Sequence, residues 1–200
     1  MRLGADPEVF LMRKTAFLSS IGRVGGTKEK PLQIPGLLAG YTVQEDNVTV
    51  EFGIPPCSSS DKFRAAISLV QTAGLAFIQT KNEPILKFSK LSCTIMPKKE
   101  MEHPNAFIFG CEPDYNAWTG EVNGKPDPDH KYKRSCGGHI HVETALNPME
   151  VVKAMDVTIG LYSLFVDLNG GARRTQYGKA GACRPKPYGV EYRVPSNFWI

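Results

Sequence analysis

The sequence predicts an α+β protein: a curved antiparallel β-sheet backed by two main helices, with a functional site on the open face. Three observations predict it. Short strand-like segments bunch around two well-separated helical stretches. Several strands alternate apolar and polar residues, as Val48, Val50 and Phe52 do against Asn47, Thr49 and Glu51. Acidic, imidazole and guanidinium side chains also recur two residues apart, which on a strand puts both on one face.

Arg2–Arg13 reads as a strand with a polar interruption at Asp6-Pro7-Glu8. Residues 15–33, rich in Gly, Lys and Ser, read as a loop or ragged hairpin. Tyr41–Glu45 and Val48–Phe52 are expected strands joined by a turn at Asp46-Asn47. A helix should begin near Ser60, with Ser58 to Ser60 offering caps and Asp61 suiting the helix dipole, and end near Lys81-Asn82 before Pro84. Leu86–Phe88, Phe107–Cys111 and His139–Val142 are short strand candidates, and the polar stretch Trp118–Arg134 is a candidate lid loop. Asn147-Pro148-Met149-Glu150 has cap, proline and glutamate in order for a second helix, running to about Leu168 and stopped by Gly170-Gly171. A basic loop, Ala172–Gly189, precedes a last strand, Val190–Val194.

The 200 residues fit a single domain, 1–200. With 42% hydrophobic and 22% charged residues, the chain has an ordinary globular balance. A net charge of +4 without a long basic run gives no nucleic-acid footprint. No apolar window is long and charge-free enough for a membrane span. Five scattered cysteines and no signal peptide point to reduced thiols and a cytoplasmic setting.

The polar pairs are Asp6 with Glu8, Glu112 with Asp114, His139 with His141, and Glu191 with Arg193. Gathered on one face, such carboxylates repel one another unless a cation sits among them. Hard oxygen ligands with one imidazole suit magnesium or manganese. Arginines from the 172–189 loop would add planar, bidentate contacts to phosphate or carboxylate. Metal and arginine around one cleft is the equipment of phosphoryl transfer.

These motifs resemble a known superfamily. Ser135-Cys136-Gly137-Gly138-His139-Ile140-His141-Val142 is similar to the Gly-x-His-x-His strand of glutamine synthetase and the carboxylate–amine type of glutamate–cysteine ligase. Val190-Glu191-Tyr192-Arg193-Val194-Pro195 resembles their Glu-x-Arg strand. Gly4-Ala5-Asp6-Pro7-Glu8 and Val50-Glu51-Phe52-Gly53 resemble the two acidic strands that precede them. With Gly110-Cys111-Glu112-Pro113-Asp114 and the short length, the nearest resemblance is to the phage-type COOH–NH2 ligases. The chain stops directly after the last motif, as a pared-down or C-terminally truncated member would.

The resemblance implies a glutamine synthetase-like catalytic fold and ATP-dependent joining of a small-molecule or peptide carboxylate to an amine, through an acyl phosphate. It implies metal ligands Glu8 and Glu51 at one magnesium or manganese position and Asp6, His139 and Glu191 at a second, with Asn47 in support. It places His141 and Lys179 near the nucleotide and Arg193, Arg184 and Arg174 at the transferred phosphoryl group. Two other readings stay open. One is a metal hydrolase or cupin-like protein built on His139 and His141, with zinc on Cys111, Cys136 and His139 as a variant. The other is an inactive or repurposed phage protein of the same fold.

Overall fold

The computed structural model describes residues 1–81, 85–108, 113–124 and 129–200. Strand β1 (Leu3–Arg13) turns back through Lys14, at φ 53°, into β2 (Ala16–Leu18). Strands β3 (Leu32–Gln33), β4 (Thr42–Asp46) and β5 (Thr49–Gly53) lead into helix α1 (Ser60–Gln79). Strands β6 (Lys87–Ser89), β7 (Cys93–Ile95), β8 (Tyr115–Asn116), β9 (Lys133–Ser135) and β10 (Gly138–Glu143) follow. Helix α2 (Pro148–Met155) passes through a π turn, Asp156–Gly160, into α3 (Leu161–Val166). The short α4 (Gly171–Arg174) precedes β11 (Ala182–Lys186) and β12 (Gly189–Tyr192).

The main sheet has the order β3-β4-β5-β1-β10-β12-β11-β8, and its pairings are antiparallel. Strands β2 and β6 pair with the outer half of β1, and β7 with β9 makes a separate ribbon. Alternation then sorts the side chains. Ala5, Val9 and Leu11 of β1 pack with Val43, Val50 and Phe52 and with Ala66, Ile67, Val70 and Ile78 of α1. Leu3, Val142 and Val190 are successive cross-strand partners on that same side, and they pack with Tyr192 and with Val152 of α2. Both helices therefore lie under one face, and the polar residues of the strands are left on the other. The expected α+β layout, a large antiparallel sheet with few helices, is observed.

The first helix starts as expected, with the Ser59 hydroxyl accepting the Lys62 N–H at 3.3 Å. It ends at Gln79 with Thr80 as its C-cap, just short of the expected end near Lys81-Asn82, while most of the Phe107–Cys111 strand lies outside the described residues. Phe107 itself closes a 3-10 turn, Pro104–Phe107. Other expectations change. β1 is continuous through Asp6-Pro7-Glu8 because both neighbours pair with it there. The 172–189 loop contains β11, and the described part of the Trp118–Arg134 loop contains the start of β9. β11 escapes a composition reading because it carries Arg184, Pro185 and Lys186. Pro185 is tolerated because β8 pairs with Ala182 and Cys183, and among the described residues the rest of that edge is open.

The second helix is broken where one run to Leu168 was expected. Asp156 accepts hydrogen bonds from Tyr192 Oη (2.8 Å), Trp118 Nε1 (2.6 Å) and the Gly181 N–H (2.6 Å). Those three partners fix Asp156, and the helix widens into a π turn around it. Gly160 fits under Tyr192, whose hydroxyl would lie 2.8 Å from a Cβ there. No helix among the described residues is long and apolar enough to cross a membrane. Tyr192→Phe should cost about 1–3 kcal/mol in chemical unfolding, because Asp156 Oδ1 loses its buried donor. Unchanged stability would show that the π turn does not depend on this bond.

Candidate active site on the open sheet face

Cross-strand register assembles the site. Glu8 lies opposite Glu51 across β1 and β5, and Asp6 opposite His139 across β1 and β10. His141 lies opposite Glu191, and Glu191 opposite Arg184. Directly opposed residues point to the same face. Two groups of ligand-capable side chains result, each with its ligand atoms within 4.8 Å of one another: Glu8, Asp46 and Glu51, and Asp6, His139 and Glu191.

The first group is strongly frustrated by like charge. Burial, helped by the charge of Asp46, pushes the Glu8 carboxyl up to about 7. Burial, with Asp6 and Asp46, pushes Glu51 well above the usual carboxylate range, and burial raises Asp46 as well. One fixed donor partly offsets this: the Gly137 N–H gives Glu8 Oε2 a 2.7 Å hydrogen bond. Residue 137 has to be glycine, because a Cβ would lie 2.3 Å from His139 Nε2.

The second group is better compensated. Burial opposes the ionisation of Asp6, but His139 and His141 outweigh it and hold its pKa below the ordinary value. Burial likewise opposes ionisation of Glu191, yet Arg193 and His139 hold it down. Burial, then Arg193, lowers His139 to about 4, so its ring is neutral at pH 7, the form that binds metal. His139 Nδ1 stands 3.4 Å from Asp6 and 3.7 Å from Glu191. Asp6 Oδ1 is buried and accepts no hydrogen bond among the described residues. A buried carboxylate oxygen left open beside a neutral imidazole and a second carboxylate fits a hard divalent cation.

The cations of the chain stand around these groups. Arg193 bonds Glu191 and lies 3.3 Å from His139 and 3.6 Å from Asp114. Arg184 and Lys186 each lie 3.4 Å from Glu191. A cavity of about 540 Å³ opens here, walled by Glu8, Asp46, His139, Arg184 and Arg193 of the sheet strands and their ends and by Arg173, Tyr177 and Lys179 of the segment before β11.

Asp6, Glu8, Glu51, His139 and Glu191 thus converge, with Arg184, Arg193 and Lys179 beside them. His141 sits just outside the cavity wall, held by Asp6 (3.2 Å) and the Tyr188 hydroxyl. Arg174 does not join: its guanidinium reaches Ser163 (3.0 Å) and Asp167 (3.2 Å). Arg173 takes the inward place instead, buried, donating to the Val194 and Arg193 carbonyls. Asn47 lines the cavity, but its side chain is engaged with backbone groups. At φ 53° it closes the β4–β5 turn, and its amide donates to the Asn105 and Ile108 carbonyls. Asp114 reaches Arg193, while Glu112 and Cys111 lie outside the described residues. Cys136 packs with Phe10, Met96 and Met101, and the groups that could hold a metal among the described residues contain no cysteine.

Sequence reasoning missed Asp46, Arg173 and Tyr177. Asp46 had a signal: it shares strand parity with Gln44, which lies opposite Glu51.

The fold and site define a class: an open antiparallel sheet carrying two acidic groups beside an arginine-walled cavity. Residues 126–200 match the family model of the phage phiEco32-like COOH–NH2 ligases, type 2. No curated protein matches the chain. The match supports a phage-type COOH–NH2 ligase, an enzyme that joins a carboxylate to an amine. It spans His139, Glu191 and the arginines, while Asp6, Glu8, Asp46 and Glu51 precede it in sequence and fold onto it.

The raised carboxyls make the metal-free protein sensitive to pH. Folded Glu8, Asp46 and Glu51 keep protons that the unfolded chain releases by about pH 4.5, from 3.8 for the aspartate and 4.5 for the glutamates. Their contribution is fully present below that pH and is lost as pH rises through the folded values, about 7 for Glu8. Neutral His139 acts oppositely only below an unfolded value of about 6.5. In EDTA, Tm should therefore fall between pH 6.5 and 8, and fall less for Glu51→Gln. Manganese should raise Tm more at pH 8 than at pH 6.5, because it competes with those protons. A flat profile, or a slope unchanged by the substitution, contradicts this electrostatic picture.

Proposed function

We propose that the chain is an ATP-dependent ligase that forms an amide or peptide bond through an acyl phosphate. The observation that carries this reading is the meeting of two acidic groups with Arg184 and Arg193 around one cavity. The open sheet backed by helices on one face is consistent with a glutamine synthetase-like fold. Glu8, Asp46 and Glu51 would hold one magnesium or manganese ion and Asp6, His139 and Glu191 a second, offsetting charge on phosphate oxygens.

The residues of the chain do the binding and orienting. Arg193 and Arg184 would face the charge that develops on the transferred phosphoryl group, with Arg173 in the part expected of Arg174. Lys179 on the cavity wall and His141 at its margin would meet the nucleotide. An oxygen of the acid substrate bonds to the γ-phosphorus as the bond to ADP breaks. The amine nitrogen then bonds to the acyl carbon, phosphate departs, and the amine gives up a proton. A cavity that excludes water protects the acyl phosphate meanwhile. The reading of an inactive protein gains no support from the geometry, since a retired site has no physical need to keep three crowded carboxylates beside one another.

Incubation with ATP, magnesium and pooled amino acids or peptides should release ADP only when both an acid and an amine are present, with a product of the condensed mass. Arg193→Ala should slow turnover by roughly 10²–10³-fold. Glu51→Ala should abolish it. Absence of acid- and amine-dependent ADP release, or a fully active Glu51→Ala protein, contradicts the proposal.

A further inference from the structure

We propose that the outer face of the π turn and α3 is a dimer interface that takes a second copy of this chain, related by a two-fold axis. The helix is inverted. Asp156, Gly160, Ser163 and Asp167 recur at intervals of four, three and four, and they face the protein. Asp156 bonds Tyr192, Trp118 and Gly181. Asp167 bonds Arg174 and Ser196, and Ser163 also takes Arg174. The residues that follow each of these, Val157, Leu161, Leu164 and Leu168, turn outward together with Tyr162 and Phe165. These six residues are between 54% and 88% exposed. A surface helix ordinarily turns its apolar stripe inward and its polar stripe to water; this one does the reverse.

The face is too large to be incidental. Six such side chains present about 700 Å², above the largest apolar patch of a typical monomer and near the roughly 800 Å² per partner of a standard interface. Self-complementarity identifies the occupant: about a two-fold axis the same apolar face meets itself, apolar surface against apolar surface. Charge agrees. The chain carries a net +4, yet the charged residues within 156–168 are Asp156 and Asp167, both buried. Two copies therefore meet here without opposing like charges. A helix lying on lipid needs a polar side rich in lysine and arginine facing water; here the polar side is acidic and internal.

Sedimentation velocity and light scattering of the 200-residue chain up to roughly 100 μM test this. The expected mass is twice the 22.0 kDa of one chain. Phe165→Glu with Leu168→Glu should halve that mass while leaving the circular dichroism of the fold unchanged. Should that pair fail to fold, Tyr162→Lys, at the flank, gives the same readout. A single-chain mass for the unaltered protein overturns the proposal, as does a dimer that survives the substitutions. An open-ended series of larger masses overturns the two-fold arrangement, and a single-chain species that binds anionic vesicles assigns the face to lipid instead.

Discussion

Glu8 lies opposite Glu51 across one ladder of β1, and Asp6 lies opposite His139 across the other. Because side chains alternate along a strand, a slip of one residue in either ladder would carry these groups into the apolar core under α1. The register is held by the opposite face, where Ala5, Val9 and Leu11 pack against Val50, Phe52 and the helix. The core thus does more than stabilise the sheet. It forces like charges together on the open side and accepts the resulting electrostatic cost. That cost is visible in the upward shifts of Glu8, Asp46 and Glu51, and a bound cation would relieve it.

The two acidic groups differ in kind. The Glu8 group has crowded carboxylates with one backbone donor and Arg173 nearby. The Glu191 group is ringed by Arg193, Arg184 and Lys186 and contains a neutral imidazole. One end of the site is therefore less fully compensated by positive charge than the other. Such a gradient suits a substrate that brings its own negative charge to the arginine-lined side. The Asp156 network sits behind it, fixing Tyr192 between Glu191 and Arg193 and tying Trp118 to the same point.

Much of the site was legible because strand periodicity is a strict code. Asp6 with Glu8, His139 with His141, and Glu191 with Arg193 each declare a shared face, and the shared face proved to be one sheet. Asp46 was hidden because Asp-Asn is a turn signal, and one residue of strand length decides whether the aspartate points at Glu51. Arg173 and Arg174 are indistinguishable by composition. On a single helical turn adjacent residues point about 100° apart, and only packing against Val194 selects the inner one. The break in the second helix had no local cause, since the bonds that hold Asp156 come from β12, the Gly181 backbone and Trp118. β11 was masked by charge and proline on an edge that tolerates both.

The central question is whether the two acidic groups are two cation positions. Manganese titration of the metal-free protein, followed by electron paramagnetic resonance and calorimetry, asks this without reference to turnover. The prediction is two ions per chain, with Glu51→Gln losing one and keeping the other. No manganese bound, or two ions bound equally well by Glu51→Gln, would contradict it.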